Sequence, residues 1–345
     1  MFLNYLIISV IIFFTIYFTC KKFKLLIDNT NFSEHKKIGI SNHSPIILGG
    51  VYLVVSLIVL LSGDYNILKL ICVCILFLGL LSDRNYLSNP SIRLSIQILI
   101  LLVLIYFEGL TVNYINIEFF DYILNIKIFN IIFTLFCFAV LLNGSNFLDG
   151  LNGLLSGYYI FVLFSLIYIG STSSKVEINQ FEMVNIILLL LLIFFVFNVL
   201  GLVYLGDSGS YILSIIVGFI LIKEYQNNIY ISPYYVLTVL WYPAFENLFS
   251  LIRRLISGTK ISSADKLHLH QLIFRYFRSK KILSEKITNT FSSFIILLLN
   301  LPLFIMASNN YSHTLTLVFV TMLNIFFYLI FYIYLIKYFE LKKKS

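Results

Sequence analysis

Eleven long apolar runs constrain this chain more than any other feature. They fall near residues 2–19, 46–62, 67–82, 94–108, 128–142, 154–170, 183–200, 209–223, 233–252, 290–308 and 315–337. A helix that crosses a bilayer needs about 20 mostly apolar residues. Backbone groups in lipid must bond within the chain, so such runs fold as helices. They do not alternate polar and apolar residues as a membrane barrel would. Only 12% of the 345 residues are charged, against about 25% in a soluble protein. The expected fold is all-α and polytopic, a single membrane domain over 1–345 with about 10–11 transmembrane helices. Cys20, Cys72, Cys74 and Cys137 show neither zinc spacing nor a disulfide framework.

The net charge of +8 reflects topology rather than nucleic-acid binding. No basic region precedes the first run, while Lys21, Lys22 and Lys24 follow it. That run reads as an anchor with its N-terminus outside, not a cleaved signal peptide. Twenty of the 24 Lys and Arg residues then fall on the inner side. The loops on that side lie near 20–45, 83–93, 143–153, 201–208 and 253–289.

The polar clusters gather on the same side. They are Asn42 to Gly50, Gly79 to Arg84 with Pro90 and Gln97 beyond, Asn143 to Gly153, Phe197-Asn198 with Gly206 to Ser210, and Arg253-Arg254 with Asp265 to His270. Glu246 stands out as an ionisable residue inside a run, roughly 10 Å deep at 1.5 Å per residue. It is either a functional group or the partner of a polar group on a neighbouring helix. Carboxylate and amide oxygens suit Mg²⁺ or Mn²⁺. Glycines beside Asp207 let backbone N–H groups approach a phosphate, and Arg and His stabilise phosphate charge. Together these residues suggest metal-assisted phosphoryl transfer at a cleft on the cytoplasmic face.

The order of these segments resembles the polyprenyl-phosphate N-acetylhexosamine-1-phosphate transferases, glycosyltransferase family 4. That family includes the peptidoglycan lipid-I synthase and the enzymes that start O-antigen, enterobacterial common antigen and teichoic acid synthesis. The resemblance covers roughly residues 42–271. It rests on Pro45 to Gly50, on Gly79 to Asp83 with Arg93 and Gln97, on Asn143 to Gly153, on Asn198 with Leu205 to Ser210, and on Arg253 to Gln271. It implies transfer of a HexNAc-1-phosphate from a UDP-N-acetylhexosamine to undecaprenyl phosphate, with UMP released. The product would start a bacterial surface polysaccharide.

By the same resemblance, Asp207 and Asn146 hold Mg²⁺, with Mn²⁺ as an alternative. Asp83, Asp149, His268 and His270 are the catalytic set. Asn152, Asn198, Arg254, Gly206 and Gly209 bind substrate. The resemblance also implies the bacterial inner membrane and a homodimer. The chain departs from the family pattern in places. Ser82 stands for the first of two aspartates, Asn152 for the second aspartate of the Asp-Gly pair, and Gln271 for a final histidine. The interval from Asn198 to Asp207 is one residue short, and the basic residue and histidine before Pro45 are not aligned, with Lys36, Lys37 and His43 nearest. These departures leave room for a non-catalytic lipid-binding relative. A lipid or sugar transporter is the other alternative, although such proteins usually place polar residues near the bilayer midplane.

Overall fold

The computed structural model describes residues 2–27, 45–258 and 267–344. Lys36, Lys37, Asn42, His43, Lys260, Asp265 and Lys266 lie outside the described residues. The helices are α1 (Phe2–Lys22), α2 (Gly49–Leu60), α3 (Asn66–Asp83), α4 (Pro90–Glu108), α5 (Glu118–Leu124), α6 (Lys127–Leu148) and α7 (Leu154–Thr172). They continue as α8 (Phe181–Val199), α9 (Gly206–Asn227), α10 (Pro233–Val239), α11 (Trp241–Ile256), α12 (Leu269–Lys280), α13 (Glu285–Asn309) and α14 (Thr314–Lys344).

Every one of the eleven apolar runs carries helix, and the chain is a multi-pass membrane protein. Among the described residues, nine helices are long and apolar enough to cross a membrane. The other two runs differ from a simple span. The second run yields α2, whose 12 residues reach about 18 Å at 1.5 Å per residue, against a hydrocarbon core of about 30 Å. Its first residues form β1 (Ile46–Ile47) instead, which pairs in parallel with β2 (Val203–Tyr204).

The ninth run is broken into α10 and α11, which meet at 73°. Pro243 explains the break. Its ring excludes the carbonyl four residues back, and it has no N–H to offer. The carbonyl it cannot use, that of Val239, accepts the Tyr158 hydroxyl at 3.0 Å.

Helix α9 sits at the centre of the bundle. Its apolar window is 89% buried, against 17% for α1. Helices α2, α3 and α6 pack on it, and glycine makes the closest of these approaches possible. A Cβ on Gly79 of α3 would collide with the Ser208 backbone, and one on Gly50 of α2 would lie 2.6 Å from the Ser208 hydroxyl. These packing contacts bring the C-terminal end of α3 and the N-terminal end of α2 to the first turn of α9.

Candidate active site

Asp207 owes its orientation to Asp83. The first amides of a helix have no partner within it, and their positive end favours a carboxylate. Asp83, the last residue of α3, supplies one. Its Oδ1 accepts the Asp207 N–H at 2.8 Å, and its Oδ2 accepts the Ser208 N–H at 3.2 Å and the Ser208 hydroxyl at 3.0 Å. Gly206 completes the turn with φ +71°, and a Cβ there would lie 2.8 Å from the Asp83 carboxylate.

The Asp207 side chain is thereby left to other partners. Its Oδ2 accepts the Ser82 hydroxyl at 2.5 Å and Arg93 Nη1 at 3.2 Å. The same Arg93 nitrogen donates to Ser82 Oγ. Arg93 comes from the first turn of α4, where Pro90 opens the helix and Asn89 caps it by accepting the Ser91 N–H at 3.0 Å. Gln97, one turn further along α4, is buried.

Asn146 joins α6 to this turn. Its Oδ1 accepts the Ser210 hydroxyl at 3.0 Å, and that hydroxyl also lies 3.1 Å from the Asp207 carbonyl. The other face of the same α6 end carries the histidine segment. Phe147 packs on His268 at a ring separation of 4.6 Å, and His268 stacks on His270 at 5.5 Å. Gly150 gives His270 its place: a Cβ there would come 2.9 Å from Nε2. The residues from Asn146 to Gly150 thus connect the Asp207 turn to the histidines. Asp149, half-buried at the C-cap of α6, lies between the two attachments.

Glu246 holds the histidine segment from beneath. It is fully buried on α11, with Oε2 3.0 Å from His268 Nδ1 and Oε1 accepting the Leu269 N–H at 3.1 Å. One carboxylate therefore orients the imidazole and caps α12. Arg253 ties down Leu267 by donating to its carbonyl at 3.2 Å. Arg254, two turns beyond Glu246, is buried in the last turn of α11.

Two of the expected substrate-contacting residues make contacts within the protein. Asn198 is buried, accepting the Gly153 N–H at 2.7 Å and donating to the Val203 carbonyl at 2.8 Å. It orders the loop after Asp149 and the strand that leads to Gly206. Gly209 faces the α2 backbone, where a Cβ would lie 3.0 Å from Gly50 N, so its small size serves helix packing. Asn152 keeps a half-exposed side chain, while its N–H donates to Asn289 Oδ1 at 2.8 Å.

Sequence reasoning also passed over Glu224, a second buried carboxylate. It accepts the Gln180 N–H at 2.7 Å and the Asn179 N–H at 3.2 Å. It lies 17 residues along α9 from Asp207, about 25 Å away at 1.5 Å per residue, and secures the opposite end of the bundle.

Among the described residues, no three His, Cys, Asp or Glu side chains cluster closely enough to hold a metal by themselves. That is compatible with Mg²⁺, which is usually held by one or two carboxylates together with water and substrate phosphates. Asp207 and Asn146 offer such oxygens, and Asp83 is already engaged with the α9 amides.

Residues 65–224 match the family model described as glycosyl transferase family 4. The chain is 24% identical to a probable undecaprenyl-phosphate N-acetylglucosaminyl 1-phosphate transferase of Bacillus subtilis (strain 168), over 68% of this chain and 67% of that protein. It is 30% identical to the undecaprenyl-phosphate alpha-N-acetylglucosaminyl 1-phosphate transferase of Escherichia coli O157:H7, over 61% of this chain and 60% of that protein. The protein of the same name in Salmonella typhi is 28% identical over 78% of this chain and 75% of its own length. The matched region of the family model contains Asp83, Asn146, Asp149, Asn198 and Asp207, and the histidine segment lies beyond it.

Proposed function

Because the chain belongs to glycosyl transferase family 4, we propose that it transfers a HexNAc-1-phosphate from a UDP-sugar to undecaprenyl phosphate. UMP leaves, and undecaprenyl-diphospho-sugar is the product that starts a bacterial surface glycan. The observation that carries this reading is the α6 end, which links an Asp-Asn pair to a His-x-His pair through five residues. One set of side chains offers oxygens to a cation, the other is a buried imidazole pair that would donate to phosphate oxygens, and both pack on one short segment.

Mg²⁺, held by Asp207 and Asn146 and completed by diphosphate oxygens, would neutralise charge on the transferred phosphoryl group. His268, His270 and Arg254 bind and orient the diphosphate. Asp149 stands beside the attacking phosphate. Asp83 acts on the reaction through Asp207, as a positioning residue. The acceptor needs no strong base, since a phosphate monoester is largely ionised near neutral pH with a second pKa of about 6.

Asp83→Asn therefore tests position against proton transfer. The new amide NH₂ would face the N–H groups that the carboxylate now accepts. We expect turnover to fall by about 100-fold, the cost of a displacement of about 1 Å, with the shape of the pH–rate profile preserved. Loss of one limb of that profile would instead identify Asp83 as a proton acceptor.

The Lys and Arg distribution supports a cytoplasmic site and an outside N-terminus in the bacterial inner membrane. The names of the relatives favour N-acetylglucosamine as the sugar. A panel of UDP-HexNAc donors, incubated with purified protein, undecaprenyl phosphate and Mg²⁺, would identify it by UMP release. Absence of release with every donor, in the presence of Mg²⁺ or Mn²⁺, would favour a non-catalytic lipid-binding protein.

A further inference from the structure

We infer that Ser82 governs when the divalent cation enters this site. By clamping Arg93 onto one oxygen of Asp207, it keeps the free protein a poor cation binder, so the cation arrives on the nucleotide diphosphate. This rests on the phosphoryl-transfer reading above and adds a binding order to it.

The argument starts from three atoms. Ser82 Oγ donates to Asp207 Oδ2 at 2.5 Å, Arg93 Nη1 lies 3.2 Å from the same oxygen, and Arg93 also donates to Ser82 Oγ. The hydroxyl is both donor and acceptor, so it satisfies Asp207 and Arg93 at once. The ring of contacts is partly shielded, with the Arg93 and Asp207 side chains 24% and 22% exposed. A guanidinium this close opposes a second positive charge, because two like charges a few ångströms apart repel strongly at reduced dielectric. Both contacts fall on Oδ2 of Asp207 rather than on Oδ1.

A single carboxylate oxygen and the Asn146 amide are a weak cage for Mg²⁺, which gives up its water reluctantly and is usually held by one or two carboxylates together with substrate phosphates. A diphosphate brings those oxygens and also gives Arg93 a new anion to bind. A carboxylate at position 82 would change both terms. It would pair with Arg93, release Asp207 Oδ2, and present a second anionic oxygen to the cation.

The test measures Mn²⁺ binding to purified full-length protein by electron paramagnetic resonance of the free ion, with and without UDP. Wild-type protein should bind Mn²⁺ weakly alone and more tightly with UDP. Ser82→Asp should bind Mn²⁺ alone at least tenfold more tightly, within the range that changes around metal ligands produce. Ser82→Asn, similar in size and uncharged, should not. Arg93→Gln should also tighten Mn²⁺ binding, which keeps the inference testable if Ser82→Asp folds poorly.

Equal affinity of wild-type, Ser82→Asp and Arg93→Gln proteins for Mn²⁺ alone, with UDP-dependent binding intact, overturns the role of Ser82 and leaves the transferase reading standing. Failure of every protein to bind Mn²⁺ even with UDP overturns both.

Discussion

Asp207→Asn should lower UMP release by roughly a thousandfold, which corresponds to about 4 kcal/mol of transition-state stabilisation at 1.36 kcal/mol per factor of ten. The substitution keeps the shape of the side chain. It leaves the backbone N–H of residue 207, and with it the contact to Asp83 at 2.8 Å, unchanged. What disappears is the negative charge that would face the cation and that now pairs with Arg93. The loss should therefore fall on turnover, with the melting temperature in detergent little changed. A large drop in melting temperature with modest loss of turnover would mean that Asp207 mainly holds α3, α4 and α9 together.

Glu246 should show the second large effect, divided between two variants. Glu246→Leu leaves the Leu269 N–H and the His268 ring without their buried acceptor. Breaking a buried pair by removing one partner costs about 3–5 kcal/mol, so this variant should melt at a clearly lower temperature and lose activity with it. Glu246→Gln keeps an oxygen for the Leu269 amide but sets an NH₂ group beside His268 Nδ1. That reverses which ring nitrogen carries the proton, since in the wild type the carboxylate makes Nδ1 the donor. Its fold should survive while turnover falls by about 10- to 100-fold, as for partners that orient a functional imidazole. The double variant Glu246→Gln/His268→Ala should then be no slower than His268→Ala alone, because residues acting through one contact do not add. Fully additive losses would show that Glu246 acts apart from His268.

Much of this architecture was legible in the residues. Unbroken apolar length locates helices because lipid leaves the backbone no other partner, and all eleven runs carry helix. The grouping of Asp83, Asn146, Asp149, Asp207 and the histidine pair was legible for a related reason. Charged and amide side chains are costly in lipid, so they collect at helix ends.

Hydropathy is silent about tertiary partners, and the differences arise there. Nothing in residues 46–62 shows that Ile46 and Ile47 pair with a strand 157 residues later. The glycines around Asp207 are open to phosphate approach or helix approach on sequence alone, and the position of Gly50 against Gly209 adds the helix contact at that site. Asn198 is polar at a helix end, and the sequence does not show that its amide bonds to Gly153 and Val203. Ser82 is a departure from the family pattern whose role the sequence leaves open. Its hydroxyl completes a contact between Asp207 and Arg93 that neither residue reveals alone. Glu246 was conspicuous because a carboxylate inside an apolar run needs a partner, and that partner is the histidine segment.

The most direct test of the central claim is the identity of both products from a single reaction. Purified protein, undecaprenyl phosphate, Mg²⁺ and the preferred UDP-HexNAc would be incubated together, and nucleotide and lipid analysed by mass spectrometry. Transfer of a sugar-1-phosphate predicts UMP and undecaprenyl-diphospho-sugar in equal amounts. UDP with undecaprenyl-monophospho-sugar would contradict the account, because the bond broken would then be between sugar and phosphate rather than within the diphosphate.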